Sequence, residues 1–214
     1  MIRLHHIAQS RSFRVLWLLH EIGVPFDLIP HAFDKSLRAP AYLALSPAGR
    51  VPALEVDGRA MFESGAIAEY LAETRAPHLS RLPGHPERAP YLEWLHFGET
   101  IGQHLANLTQ QHIALREDHM RSVTVMRLEA RRLALCLEAA AVRAGQGWLL
   151  EGGFSAADVQ VGYGLWLGQR FVALSDTARD YCDRLAARPA FARALAQDGP
   201  AQIYTRDFYA APEG

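Results

Sequence analysis

The sequence predicts a small α+β domain followed by an all-helical one. Three observations carry that prediction. The apolar pattern switches between strand and helix periods up to about residue 75. A stretch rich in Pro, Arg and His, PHLSRLPGHPERAP (77–90), then interrupts it, and beyond that stretch helical spacing dominates.

The elements follow in order. IRLHHIA (2–8) is a short strand. SFRVLWLLHEIG (12–23) puts Val15, Leu16, Leu19 and Ile22 on one helical face, with Gly23 as the stop. Trp17 and Leu18 widen that face, so the helix is expected to be covered on more than one side. PFDLIPH (25–31) is a second strand. PALEV and RAMF flank Asp57-Gly58, a two-residue hairpin turn. SGAIAEYLAE (64–73) is a helix, and 31–51 is expected to be a loop.

The second half is expected to hold long helices over about 88–116 and 122–143. FSAADVQVGYGLWLG opens with Ser155 and Asp158 three apart, a capping-box-like start in which Asp stands where Glu is usual. RPAFARALAQ starts a helix on Pro189. The predicted domains are 1–76 and 88–214, joined by a linker over 77–87.

Composition narrows the function classes. The chain has 214 residues, half of them hydrophobic, and a net charge of −1. It has neither the basic excess of a nucleic-acid binder nor an apolar run long enough for a membrane helix. Cys136 and Cys182 form no C-x-x-C pair and read as reduced thiols in helices. The N-terminal MIRLHHIAQS lacks the apolar core of a secretory leader. A cytoplasmic setting is the expectation. His5 and His6 alternate across a strand without further converging ligands, so no metal site is expected.

The stretch SPAGRVPALEVDGRAMFESGAIAEYLAE (46–73) poses two questions. Pro52 opens a strand although it has no N–H for a ladder, which makes sense if the Val51–Pro52 bond is cis and the Val51 backbone stays open to an extended peptide. Glu63-Ser64 stands where the chain turns helical. Ser64 can offer a donor to a carboxylate at a helix N-terminus, and Glu63 can accept from an ammonium group, which suits an α-amino-acid head. Helix capping by Ser64 alone is the plainer alternative.

SPAGRVPAL, the Asp-Gly hairpin and ESGAIAEYLAE together resemble the glutathione-binding half of cytosolic glutathione S-transferases. SRSFRVLWLLHEIGVPFDL resembles the fungal and bacterial, serine-type branch of that family, and GFSAADVQVGYGL resembles its helical-domain capping motif. The resemblance covers most of the chain. It implies an α+β thioredoxin-like N-terminal domain, an all-α helical-bundle C-terminal domain, and a homodimer.

It also implies roles. Val51 matches the position whose backbone pairs with the cysteinyl part of glutathione, Pro52 the cis-proline, and Glu63 and Ser64 the pair that holds the γ-glutamyl head. Lys35, Arg38 and Arg50 are all candidates for the glycyl carboxylate. The catalytic turn reads Gln9-Ser10-Arg11-Ser12-Phe13, with no Tyr or Cys. Ser10 is the candidate thiol partner and Ser12 the reserve. A second-substrate pocket is expected to draw on Phe97, His104 and Asn107, with the tail IYTRDFY (203–209) as a lid. Asp158 belongs to folding.

The chemistry asked of Ser10 is limited. Lowering a thiol from ~8.5 to ~6.5 takes about 2.7 kcal/mol of preference for the thiolate. A donating hydroxyl and a helix N-terminus supply comparable shifts at reactive cysteines. The expected activity is attack of bound glutathione, as thiolate, on a hydrophobic electrophile or a peroxide. The alternative is a non-catalytic glutathione- or ligand-binding protein of the same fold. A thiol–disulfide oxidoreductase would need a cysteine in the 9–13 turn, and there is none.

Overall fold

The computed structural model describes residues 1–211; the end of the predicted helical domain, 212–214, lies outside them. Two compact units emerge. The first joins Met1–Arg88 with Ala186–Ile203, and the second joins Ala89–Leu185 with the segment from Tyr204 onward.

The first unit is built on a four-stranded sheet of order β2-β1-β3-β4. β1 (Arg3–His6) pairs parallel with β2 (Asp27–Pro30) and antiparallel with β3 (Ala53–Val56); β3 pairs antiparallel with β4 (Arg59–Phe62). The parallel pair requires a crossover, which is α1 (Ser12–Ile22). The β3–β4 hairpin turns at Asp57 (φ +53°) and Gly58 (φ +78°), positive at both central residues as a type I′ turn demands. Tyr70 donates to the Asp57 carboxylate at 2.7 Å, and Arg75 also binds it; the Tyr70 hydrogen bond is the main reason this exposed carboxyl titrates below its ordinary range. α3 (Ser64–Arg75) follows β4 directly.

The expected loop over 31–51 is partly ordered: it holds a single 3₁₀ turn at Ser36–Arg38 and the one-turn helix α2 (Pro40–Leu43), started by a proline at its first position.

α1 is covered all round, as its wide apolar face suggested. Every side chain from Ser12 to Leu19 is buried. One side meets the sheet and α3. The other meets α8 (Pro189–Asp198), whose Phe191 ring stands edge-on to Trp17 at 4.9 Å and to Phe13 at 5.5 Å. This aromatic packing draws 186–203 into the first unit. Arg188 fastens the same contact through two hydrogen bonds to Glu21, at 2.6 and 2.8 Å.

The second unit holds α4 (Arg88–Thr109, its first residue grouped with the first unit), α5 (Val123–Ala144), α6 (Ala156–Gly168) and α7 (Asp176–Ala186). α4 runs on through one π-helical turn at Gln110–Ala114. α4 and α6 approach closely: a Cβ on Gly164 would stand 2.5 Å from Ile101 Cγ2. The tail from Tyr204 packs within this unit, with Tyr209 stacked on Phe171 at 5.5 Å and Tyr204 hydrogen-bonded to Thr109 at 2.8 Å.

α6 begins with the expected capping box. Asp158, fully buried, accepts from the Ser155 N–H (2.9 Å), the Ser155 hydroxyl (3.1 Å), the Leu149 N–H (3.0 Å) and the Tyr181 hydroxyl (2.7 Å). Burial pushes its carboxyl above the ordinary range even so. Asp158→Ala leaves buried donors unmet, and is expected to lower unfolding stability by about 1–3 kcal/mol, read from the urea midpoint.

Candidate functional site

Sheet register brings the candidate residues of the first unit together. Ala53 faces His5 across β1 and Phe62 across β4. Both ladders end at Ala53, so Val51 enters at the end of the sheet where Ile7 leaves β1 and Ser64 follows β4. The exit of β1, the entrance of β3 and the exit of β4 therefore share one end of the sheet. α1 and α3 both begin there, so two sets of helix N–H groups add positive potential at that end.

The Val51–Pro52 peptide is cis. Pro52 is buried and Val51 half-buried, and the paired ladder starts only at Ala53. Tyr42 donates its hydroxyl to the Arg50 carbonyl at 3.0 Å, which pins the chain just before the cis bond. Burial pushes the Tyr42 phenol up to about 12, so it stays a donor. The Arg50, Lys35 and Arg38 side chains are all exposed.

Glu63 is exposed and takes φ +69°, an uncommon conformation for a residue with a Cβ. Ser64 opens α3, is 3% exposed, and accepts from Arg14 Nη1 at 3.1 Å. Arg14 has no exposed surface, so a buried guanidinium sits directly behind Ser64. Such a charge, beside a helix N-terminus, favours an anion.

The turn over residues 9–13 is equally defined. Ser10 is half-buried; its Oγ accepts from the Ser12 N–H at 3.3 Å and lies 2.8 Å from Ser12 Oγ. Ser12 has no exposed surface. Its Oγ accepts from the Ile7 N–H at 3.2 Å and lies 2.7 Å from His6 Nδ1. Of the two serines, only Ser10 faces outward.

His5 and His6 point to opposite faces of the sheet, as strand alternation requires. His5 contacts His31 at 2.8 Å and Glu55 at 3.2 Å. His31 is held below the ordinary imidazole range, first by burial and then by the charge of His5. Among the described residues no cluster of three His, Cys, Asp or Glu side chains could hold a metal, and no helix is long and apolar enough to cross a membrane.

Of the three second-substrate candidates on α4, two have their polar atoms engaged within the second unit. His104 Nδ1 lies 2.8 Å from Glu129 Oε2, and Asn107 Nδ2 donates to the same oxygen at 3.0 Å. Arg132 donates to the other oxygen at 2.8 Å. Phe97 is half-buried and edge-on to Trp94 at 5.1 Å.

Sequence reasoning gave Arg14, Tyr42 and Asp198 no role. Arg14 and Tyr42 left a faint signal, since each polar side chain stands within an otherwise apolar stretch. Asp198 left none, because its partners lie 189 and 192 residues away.

Comparison with known proteins agrees with this geometry. Residues 10–74 match the family model for the glutathione S-transferase N-terminal domain. Glutathione S-transferase 3 of Schizosaccharomyces pombe is 37% identical over 102 residues, which are 46% of this chain and 41% of that protein. The chain thus aligns with less than half the length of that relative. Among solved structures, a glutathione S-transferase from Xylella fastidiosa superimposes with a TM-score of 0.82 at 26% identity, covering 92% of this chain and 98% of the other. The theta-class enzyme of Xanthomonas axonopodis pv. citri, solved with glutathione bound, superimposes at 0.78 and 25% identity, over 94% and 98% of the chains.

The Glu129 knot carries a pH dependence. Burial alone would raise its carboxyl, but hydrogen bonds from His104, Asn107 and Arg132 outweigh that and hold it below its ordinary value. A depressed folded pKa stabilises above the unfolded value of about 4.3, and the contribution disappears as pH falls through the folded value. Glu129→Gln is expected to cost about 1.5–3 kcal/mol near neutral pH, and to flatten the acid limb of thermal stability measured by calorimetry.

Proposed function

We infer, from the family model matched over residues 10–74 and the likeness to solved glutathione S-transferases, that the chain is a cytosolic glutathione transferase. It binds glutathione at the sheet end described above, stabilises its thiolate, and directs it at a hydrophobic electrophile or a peroxide. One observation carries the reading: a cis Val51–Pro52 bond stands at the same end of the sheet as a Ser64 that is backed by the buried Arg14 guanidinium.

Each part of the tripeptide has a matching chemistry. The unpaired strand entrance at Val51 suits the cysteinyl backbone, with Pro52 holding the turn. Ser64 and the N-terminus of α3 suit the α-carboxylate of the γ-glutamyl head, and Glu63 its ammonium. The exposed Lys35 and Arg50 suit the glycyl carboxylate. Ser10 is the hydroxyl that meets the sulfur. Phe97, His104 and Asn107 are the proposed second-substrate residues. Along the chain we assign the domains as 1–76 and 88–214 with a linker over 77–87, the segment Ala186–Ile203 returning to the first compact unit, and the active form as a homodimer in the cytoplasm.

A binding-only protein of the same fold is the second reading. The hydrogen bond that Ser10 Oγ accepts from the Ser12 N–H favours it, because that bond gives the hydroxyl a structural task independent of any ligand.

Ser64→Ala is expected to weaken glutathione binding by about 1.5–3 kcal/mol, measured by calorimetry, through loss of a hydrogen bond to a charged carboxylate. An unchanged affinity would remove the head-group assignment. Turnover on a panel of electrophiles and hydroperoxides separates the two readings: tight binding with no turnover on any member leaves only the second.

A further inference from the structure

The turn that carries Ser10 continues inward as a line of hydrogen-bonding atoms. Ser10 Oγ lies 2.8 Å from Ser12 Oγ, which lies 2.7 Å from His6 Nδ1. His6 Nε2 lies 3.1 Å from the Asp198 carbonyl oxygen and 3.2 Å from Asp198 Oδ1. Exposure vanishes along the line: Ser10 is half-buried, Ser12 is 0% exposed, His6 1% and Asp198 5%. The Gln9 N–H also donates to both Asp198 carboxylate oxygens, at 3.1 and 3.0 Å. Gln9 takes φ +62°, a left-handed conformation that is uncommon in a residue with a Cβ.

The direction of each hydrogen follows. Both atoms facing Nε2 are acceptors, so Nε2 carries a hydrogen and Nδ1 is the nitrogen left to titrate. Two hydroxyl oxygens 2.8 Å apart need one hydrogen between them. When Nδ1 is bare, the Ser12 hydroxyl donates to it. The hydrogen between the serines is then that of Ser10, which points inward. When Nδ1 is protonated, it donates to Ser12 Oγ. The Ser12 hydrogen is then released to its remaining acceptors, Ser10 Oγ at 2.8 Å and the Ile7 carbonyl at 3.3 Å, and when it takes the nearer one the Ser10 hydrogen is free to point outward.

We infer that His6 and Asp198 are positioning residues that make Ser10 an outward donor, and that His6 takes up the thiol proton through the two serines. This rests on the reading of Ser10 as the partner of the glutathione sulfur. The step balances. The S–H bond breaks and its proton passes to Ser10 Oγ. The Ser10 proton passes to Ser12 Oγ and the Ser12 proton to His6 Nδ1. The thiolate then accepts from Ser10, and an imidazolium faces the Asp198 carboxylate. No proton enters or leaves the site.

The other ionisable groups on the elements packed against β1 are engaged elsewhere. On β1, Arg3 pairs with Asp27 and Glu55, and His5 with His31 and Glu55. On α1, Arg14 engages Ser64, His20 engages Gln197 and Glu21 engages Arg188. On α8, Arg193 donates to the His20 carbonyl. His31, just beyond β2, feels the charge of His6, though more weakly than burial and His5. Among the described residues, Asp198 is the ionisable group in hydrogen-bond contact with the His6 ring.

Two measurements test the inference. In the wild-type protein with isotope-labelled histidine, NMR follows His6 Nδ1 across pH. With glutathione it is expected to stay protonated to higher pH than with S-methylglutathione, which has no thiol to ionise, because coupling between two sites is reciprocal. Equal midpoints with the two ligands overturn the inference. Second, ultraviolet absorbance reports the ionisation of bound glutathione. His6→Gln and Asp198→Asn are each expected to move it up by about one pH unit, a tenfold smaller thiolate fraction below the midpoint. A shift in Ser10→Ala without one in those two variants overturns the inference and leaves Ser10 in place. No shift in Ser10→Ala overturns both. If the buried substitutions prevent folding, the wild-type titration alone decides.

Discussion

The antiparallel register of β3 is the constraint from which the candidate site follows. Side chains and backbone groups nearly sixty residues apart in the chain become neighbours because Ala53 faces both His5 and Phe62. A slip of one residue would reverse which side chains of β3 face the core. It would also separate Val51 from Ser64. The Asp57-Gly58 turn, with φ positive at both residues, holds the register from the far end of the hairpin.

Two buried carboxylates organise the two units in contrasting ways. Asp158 takes N–H groups from Ser155 and Leu149 and closes the start of its own helix. Asp198 takes the Gln9 N–H and the His6 ring, and so ties the end of α8 to the turn after β1. Both obey the rule that a buried carboxylate needs donors close by. Asp158 finds its N–H donors within ten residues; Asp198 finds its donors across most of the chain. The packing of Phe191 on Trp17 and Phe13 is what delivers Asp198 to that turn.

The electrostatics of the sheet end are one-sided. Two helix N-termini and the Arg14 guanidinium place positive potential at the end of the sheet that carries Ser10, Val51 and Ser64. A thiolate and a carboxylate are both anions, so in the proposed function one arrangement serves both the recognition of a peptide acid and the ionisation of a sulfur. The inward line from Ser10 to Asp198 is the destination we infer for the departing proton.

Local order in the chain was enough to determine the α+β-then-helical plan, the Gly23 stop, the Asp-Gly hairpin, the Ser155–Asp158 cap and the Pro189 helix start, since each is written within a few neighbouring residues. The wide apolar face of α1 even announced a second covering layer, though not that α8 would supply it. The short turn and helix within 36–43 went unseen, because one or two helical turns are too brief to show a period. The resemblance singled out Ser10, Val51, Pro52, Glu63 and Ser64 as candidates, and the cis Val51–Pro52 bond and the helix that opens at Ser64 were both expected from the residues around them. The tertiary structure alone decided that Arg14 backs Ser64, that Tyr42 pins Arg50, and that Ser12 is enclosed while Ser10 is not. It alone joined His6 to Asp198. The physical reason is the range of the interaction: periodicity and capping act between near neighbours in the chain, whereas a buried hydrogen bond between distant residues exists only once packing has brought its two ends together.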